Sequence, residues 1–273
     1  MATAPSITAF DRDTAVEPLG DGVFRASMSR DWWVPRGPNG GYVAAIIVRA
    51  LEAAVDDPRR APRSLTCHYL RPPAEGPCEI RVAVERAGRS LTTLSARLEQ
   101  DGRPMVLALA AFADDFAHVA EYDEPAPEVG PPPAELRVAP INPLAPPIAY
   151  RFAMEPLLGP GLGSGGEALV GGWLRLEEPR PLDPALVALY TDAWLPAPWA
   201  RIEKPNPAPT VDLTIHFRAR VPLAGADPAA PVLARFRSTT AHDGFFEEDG
   251  ELWAPDGTLL AQSRQLGIFV PGA

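Results

Sequence analysis

Lysine is almost missing from this sequence: Lys204 is the only one among 25 basic residues in a chain of 273. A bound phosphate is therefore expected to meet arginine, whose planar fork suits it. Cysteine is nearly as scarce. Cys67 and Cys78 have no second pair beside them, which argues against a disulfide framework and a zinc knuckle. The four histidines, His68, His118, His216 and His242, are unclustered, and no Cys/His set has metal-ligand spacing. No apolar run is long enough to span a bilayer, and MATAPSITAFDRDTAVE lacks the basic-then-apolar pattern of a secretory signal. There is no G-x-S-x-G elbow and no G-x-x-x-x-G-K-[ST] phosphate loop, so those nucleophile and nucleotide motifs are excluded. Acids exceed bases by 35 to 25, a net charge of −10, which argues against nucleic acid or an anionic membrane as the main partner. It does not forbid an anionic ligand held by a local basic patch. A soluble cytoplasmic protein is the default expectation.

What the chain does have is proline, 34 residues in all. E124PAPEVGPPPAELRVAPINPLAPP147 holds nine, too many for a helix or a central strand, and reads as an extended linker over 121–149 between units at 1–120 and 150–273. The halves on either side repeat one order of elements. In the first, V23FRASMSRDWW33 alternates as a strand. The small-residue apolar helix N39GGYVAAIIVRALEAAVDD57 follows, and then four antiparallel strands, the last after the turn Asp101–Gly102. In the second, strand E167ALVGGWLRLEE178 precedes a helix over D183PALVALYTDAW194, with Asp183 as N-cap and Pro184 at the first position. Four more strands follow, the last after Asp256–Gly257. L65TCHYLRP72 matches L213TIHFRAR220 without a gap, so the pattern is a duplicated α+β unit.

The order strand, Gly-Gly helix, antiparallel sheet, occurring twice, resembles the double-hotdog acyl-CoA thioesterases of the medium- and long-chain type II class. The residues that carry the resemblance are the Gly-Gly helix start, H68YLRP72, Y190TDAWLP196, T210VD212 and Gln265. It implies two tandem hotdog units, each a long helix wrapped by a curved antiparallel sheet. It also implies hydrolysis of an acyl-CoA or acyl-carrier thioester without a cofactor or metal, in a homo-oligomer. Departures are a displaced His68 and Leu213 where a His commonly follows the strand aspartate. The alternatives are a non-catalytic acyl-thioester binding protein and a hotdog enoyl-CoA hydratase, though neither helix carries the histidine that hydration needs.

Thioester hydrolysis requires a placed, activated water and donors for the developing oxyanion. Carried over from the resembled family, Asp192, Thr210 and Gln265 hold that water. Asp192 shares a helical stripe with Ala185 and Leu189, where an unpartnered carboxylate is costly. Alternation places Thr210, Asp212 and Thr214 on one face, which leaves Asp212 as a rival base. Gln265 lies in a polar interruption of the last strand, whereas the equivalent V106LALAAFA113 has no polar side chain. Gly40, Gly41 and Tyr42 offer backbone N–H groups at a helix N-terminus and are the expected oxyanion donors. Close packing is the other reason for glycine there. Arg59, Arg60 and Arg63, which follow the first helix, are candidate partners for CoA phosphates, although a solvated charge run is the commoner meaning of such a cluster.

Overall fold

The computed structural model describes residues 7–116, 119–138, 148, 151–204 and 206–270. The first half runs α1 (Ala9–Asp13), β1 (Glu17–Gly20), β2 (Val23–Met28), a short hairpin of β3 (Trp33–Val34) and β4 (Gly37–Pro38), and α2 (Gly40–Val55). Then come β5 (Ala61–Tyr69), β6 (Gly76–Ala87), β7 (Leu91–Gln100) and β8 (Arg103–Ala113). The second half runs β9 (Phe152–Leu158), β10 (Leu169–Leu176), α3 (Pro184–Tyr190), a 3-10 turn (Ala197–Arg201) and β11 (Thr210–Phe217). It ends with β12 (Val232–Arg237), β13 (Ala241–His242), β14 (Phe245–Trp253) and β15 (Leu259–Ile268).

Alternating apolar residues and tight turns make these strands pair as antiparallel neighbours. At the β7–β8 turn, Asp101 and Gly102 both take left-handed φ, 49° and 70°, as a two-residue hairpin demands. Among the described residues, thirteen strands form one antiparallel sheet in the order β1-β2-β6-β7-β8-β5-β11-β15-β14-β12-β10-β9, with β13 pairing off β14. The order reads the same from either end when β2, β6, β7, β8 and β5 are matched to β10, β12, β14, β15 and β11. The two halves meet at β5 and β11, where Thr66 faces Thr214 and their hydroxyls lie 3.0 Å apart. The two halves are therefore joined edge to edge.

Helix α2 is apolar nearly all round because protein surrounds it: Tyr42 to Val48 are all at most 1% exposed. It packs against β5, β6, β7, β8 and α3. Asn39 caps its start by accepting the Tyr42 N–H at 2.9 Å, and Asp56 ends it in the left-handed region. The second helix corrects the expectation of a long one reaching Trp194. It stops at Tyr190, after seven residues, where the Thr191 hydroxyl donates to Ala188 O at 2.8 Å. Pro196 and Pro198, lacking N–H groups, then turn the chain into the 3-10 segment.

The proline-rich segment is more than a spacer in its described part. Trp173, Leu233, Trp253 and Leu259 stand in one row across β10, β12, β14 and β15. Ala126, Val129 and Leu136 pack on that row, and Trp173 Nε1 donates to Gly130 O at 3.1 Å. The segment thus covers an apolar stripe of the second half; residues 139–147 lie outside the described residues.

Candidate active site

The glycine pair at the start of α2 meets the end of α3. A Cβ on Gly41 would come within 2.6 Å of Leu189 O and 3.0 Å of Asp192 Cβ, so only glycine fits without movement. Close helix–helix packing is thus the first reason for this glycine.

That approach delivers a carboxylate to a helix N-terminus. Asp192 follows α3 in a turn closed by its N–H on Leu189 O at 3.2 Å. Its Oδ2 accepts from Gly41 N at 3.0 Å and from Asn39 Nδ2 at 2.9 Å, and Asn39 Nδ2 also donates to its carbonyl at 2.7 Å. Burial pushes the Asp192 carboxyl up to about 6; the N–H groups of Gly41 and Gly40, then Gln265 and Asn39, draw it part of the way back. The residue as a whole is half-buried. It is an acid held near the working range of a general base.

From the strand side, Thr210 Oγ1 donates to Gln265 Oε1 at 2.7 Å, and Gln265 Nε2 donates to Glu248 Oε1 at 2.6 Å. Asp192, Thr210 and Gln265 therefore converge as expected, with the α2 N-terminus of the first half against β11 and β15 of the second.

Two expectations change. A bulge between Thr210 and Asp212 shifts the register of β11 against β15, so these two residues do not share a face. Leu213 pairs with Gln265 on the buried face, whereas Asp212 lies opposite His68 and belongs to the other face with Thr214. On that face Asp212 is turned away from Gln265. Asp212→Asn is expected to keep kcat within about two- to threefold of the unsubstituted enzyme, and a steady-state assay checks this. Second, the Tyr42 N–H is committed to the Asn39 side chain and its hydroxyl to Asp13 O at 2.8 Å, so Tyr42 is not a free donor. Arg59, Arg60 and Arg63 gather at the opposite end of α2 from Gly40. There Arg59 pairs with Asp57 at 2.9 Å, Arg60 bonds Gly88 O at 2.9 Å, and Arg63 pairs with Asp115. His68 and His216 are exposed strand residues; His118 lies outside the described residues.

Two residues escaped the sequence reading. Asn39 was visible as a capping type before Gly-Gly, but its second partner lies 153 residues away. Glu248 had a local signal: the buried face of β14 reads Phe246, Glu248, Gly250, Leu252, an acid in an apolar alternation.

The pseudo-equivalent end of the helix pair lacks these groups. The gapless strand match puts Pro62 where Thr210 stands, the Asp-Gly turns put Ala110 where Gln265 stands, and Ala110 pairs with Leu94 as Gln265 pairs with Glu248. There Arg49 bridges Asp183 at 2.8 Å, and Arg180 bridges Asp183 at 2.6 Å and Asp11 at 3.0 Å. Among the described residues the polar constellation occurs once.

Similarity to known proteins follows this geometry. Residues 29–113 match the family model of the acyl-CoA thioesterase N-terminal domain, and residues 119–269 that of the acyl-CoA thioesterase C-terminal domain. The structure is similar to a conserved protein of unknown function with hot dog fold from Alicyclobacillus acidocaldarius (TM-score 0.84, 28% identity, 97% of this chain and 99% of that one covered). It is also similar to a putative thioesterase II from Thermobifida fusca YX (0.79, 27%, 97% and 98%). It shares its fold with acyl-CoA thioesterase II TesB2 from Mycobacterium marinum (0.75, 20%, 97% and 98%). No curated protein sequence matches it significantly. Among the described residues no helix is long and apolar enough to cross a membrane. With family models matching on both sides of the proline-rich segment, and hotdog-fold structures matching nearly the whole chain, this protein belongs to the acyl-CoA thioesterase family and is a thioester hydrolase.

Proposed function

We propose that the protein hydrolyses acyl-CoA to a free acid and CoA by direct attack of a water held by Asp192, Thr210 and Gln265. The observation that carries this is the Asp192 carboxylate, raised to about 6 by burial, in hydrogen-bond reach of the α2 N-terminus and close to the Thr210–Gln265 pair. Asp192 takes one proton of the water as its oxygen bonds to the thioester carbon. The C–S bond then breaks, and the proton passes to the departing thiolate. In this scheme the Gly41 N–H holds the Asp192 carboxylate, and the Gly40 N–H, at the positive end of α2, is the donor where negative charge developing on the thioester oxygen is favoured. The step calls for no cofactor beyond the substrate.

The mirrored strand order supports two tandem hotdog units, one on each side of the proline-rich segment at 121–149, each contributing one side of the site. A homo-oligomer and a cytoplasmic location belong to the same reading. A panel of acyl-CoAs of increasing chain length, followed by release of free CoA thiol, tests it. Turnover on at least one chain length is expected. Tight binding without thiol release would make the protein an acyl-thioester binder, and loss of enoyl absorbance without thiol release would make it a hydratase.

A further inference from the structure

We infer that Glu248 is a positioning residue for this reaction, fixing which end of the Gln265 amide faces Asp192. The inference rests on the hydrolytic reading above and names a residue which that reading does not require.

Glu248 sits on β14 directly opposite Gln265 on β15 and is 4% exposed. Its Oε2 accepts from the Ala197 backbone N–H at 2.5 Å, and its Oε1 accepts from Gln265 Nε2 at 2.6 Å. A backbone N–H cannot turn round. Both oxygens of Glu248 therefore face donors, the arrangement of an ionised carboxylate. A glutamine amide, in contrast, can exchange its oxygen and nitrogen with almost no change of shape, and only its partners decide the orientation. Here Glu248 draws the nitrogen and Thr210 Oγ1 meets the oxygen at 2.7 Å. With the nitrogen so placed, Gln265 also helps to lower the pKa of Asp192. Reversal would turn the amide oxygen toward the carboxylate and repel it.

Core packing does not account for an acid at this place. The corresponding position of the first half is filled by Leu94, fully buried, opposite Ala110. Burial also pushes the Glu248 carboxyl up to about 8, so its ionised form is costly to the fold. The acid occurs where the amide occurs. Its second bond, to Ala197, ties it to the chain that carries Asp192 five residues earlier.

Glu248→Gln keeps the shape and an oxygen for Ala197 but offers Gln265 an N–H group, which favours the reversed amide. A double-mutant cycle with Gln265→Ala, assayed at about pH 9 so that both carboxyls are ionised, separates the roles. E248Q is expected to lower kcat by about 10- to 100-fold with KM changed by less than about threefold, and to add less than about threefold in the Q265A background. E248L provides a second variant, since the fold accepts leucine at the matching position, and the same pattern is expected. The same cycle in thermal unfolding needs no turnover: the Tm change on E248Q should differ between the two backgrounds by several degrees, roughly what a lost buried hydrogen bond gives. Equal losses in both backgrounds, a loss confined to KM, no loss at all, or identical Tm changes would each overturn the role of Glu248. Absence of hydrolysis by the unsubstituted protein would instead count against the hydrolytic reading and leave the unfolding cycle to decide the Glu248–Gln265 pairing.

Discussion

Asp192→Asn is expected to lower kcat by roughly two to four orders of magnitude, the usual contribution of a positioned general base. KM should change by less than about threefold, because the carboxylate acts on water and makes no contact asked of the bound thioester. The substituted amide keeps an oxygen for the Gly41 N–H, so the helix junction survives. Stability moves the other way. Asp192 is held at about 6 against its ordinary 3.8, so the fold binds its proton more tightly than the unfolded chain does. Its stabilising contribution is complete below about 3.8 and is lost as pH rises through about 6. At higher pH the ionised group costs on the order of 1–3 kcal/mol, and the neutral amide is relieved of that cost. The expected variant thus keeps only a small residual activity yet is at least as heat-resistant as the unsubstituted protein. Thr210→Ala and Gln265→Ala should each lose less than Asp192→Asn. Their combination should lose less than the product of the single losses, since all three groups position one water. Near-normal turnover in D192N would remove the base from this account.

Gly41→Ala is expected to have the second largest effect, through geometry alone. The new methyl would stand 2.6 Å from Leu189 O and 3.0 Å from Asp192 Cβ. Neither atom is the far end of a flexible side chain, so α2 and α3 must separate. Overpacking of this kind costs about 1–3 kcal/mol. The same displacement moves Asp192 off the Gly41 N–H, and a misplacement near 1 Å at a reacting group costs about 100-fold in rate. A folded G41A protein with lowered Tm and a large kcat loss is the predicted result, read by thermal unfolding and steady-state kinetics together. Unchanged kcat in a destabilised protein would mean that the α2 N-terminus has no part in the chemistry.

Most of the fold was legible in the sequence because its signals are local or repeated. Alternation marked the paired strands, Asp-Gly marked the last turn of each half, and L65TCH68 against L213TIH216 exposed the duplication. The edge strands β1 and β9 were missed: β1 is four exposed residues, and β9 holds Pro156. The second helix was overextended because its apolar spacing continues past the point where Thr191 bonds back to Ala188. The trio Asp192, Thr210 and Gln265 came from family resemblance; local sequence marked Asp192 on an apolar stripe and Gln265 in a polar interruption, but nothing local set Thr210 apart. Alternation then misled at Thr210, where the bulge before Asp212 breaks the two-residue period on which the face assignment depended. Asn39 and Glu248 act through contacts 153 and 17 residues away in sequence, which composition and spacing do not reveal.

The pH dependence of kcat/KM for acyl-CoA tests the central claim most directly, that an Asp192 carboxylate bridging the two halves activates the water. A base is effective only when ionised, so the rate should climb with unit slope below about pH 6 and lose that limb above it. The other titratable groups facing Asp192 are Glu248, raised to about 8, and the Tyr69 phenol, held well above its ordinary value, so neither supplies a limb near 6. The predicted result is a limb near pH 6 in the unsubstituted enzyme that is absent from the residual activity of D192N. A limb near 6 that persists in D192N, or a flat profile through that range in the unsubstituted enzyme, would contradict it.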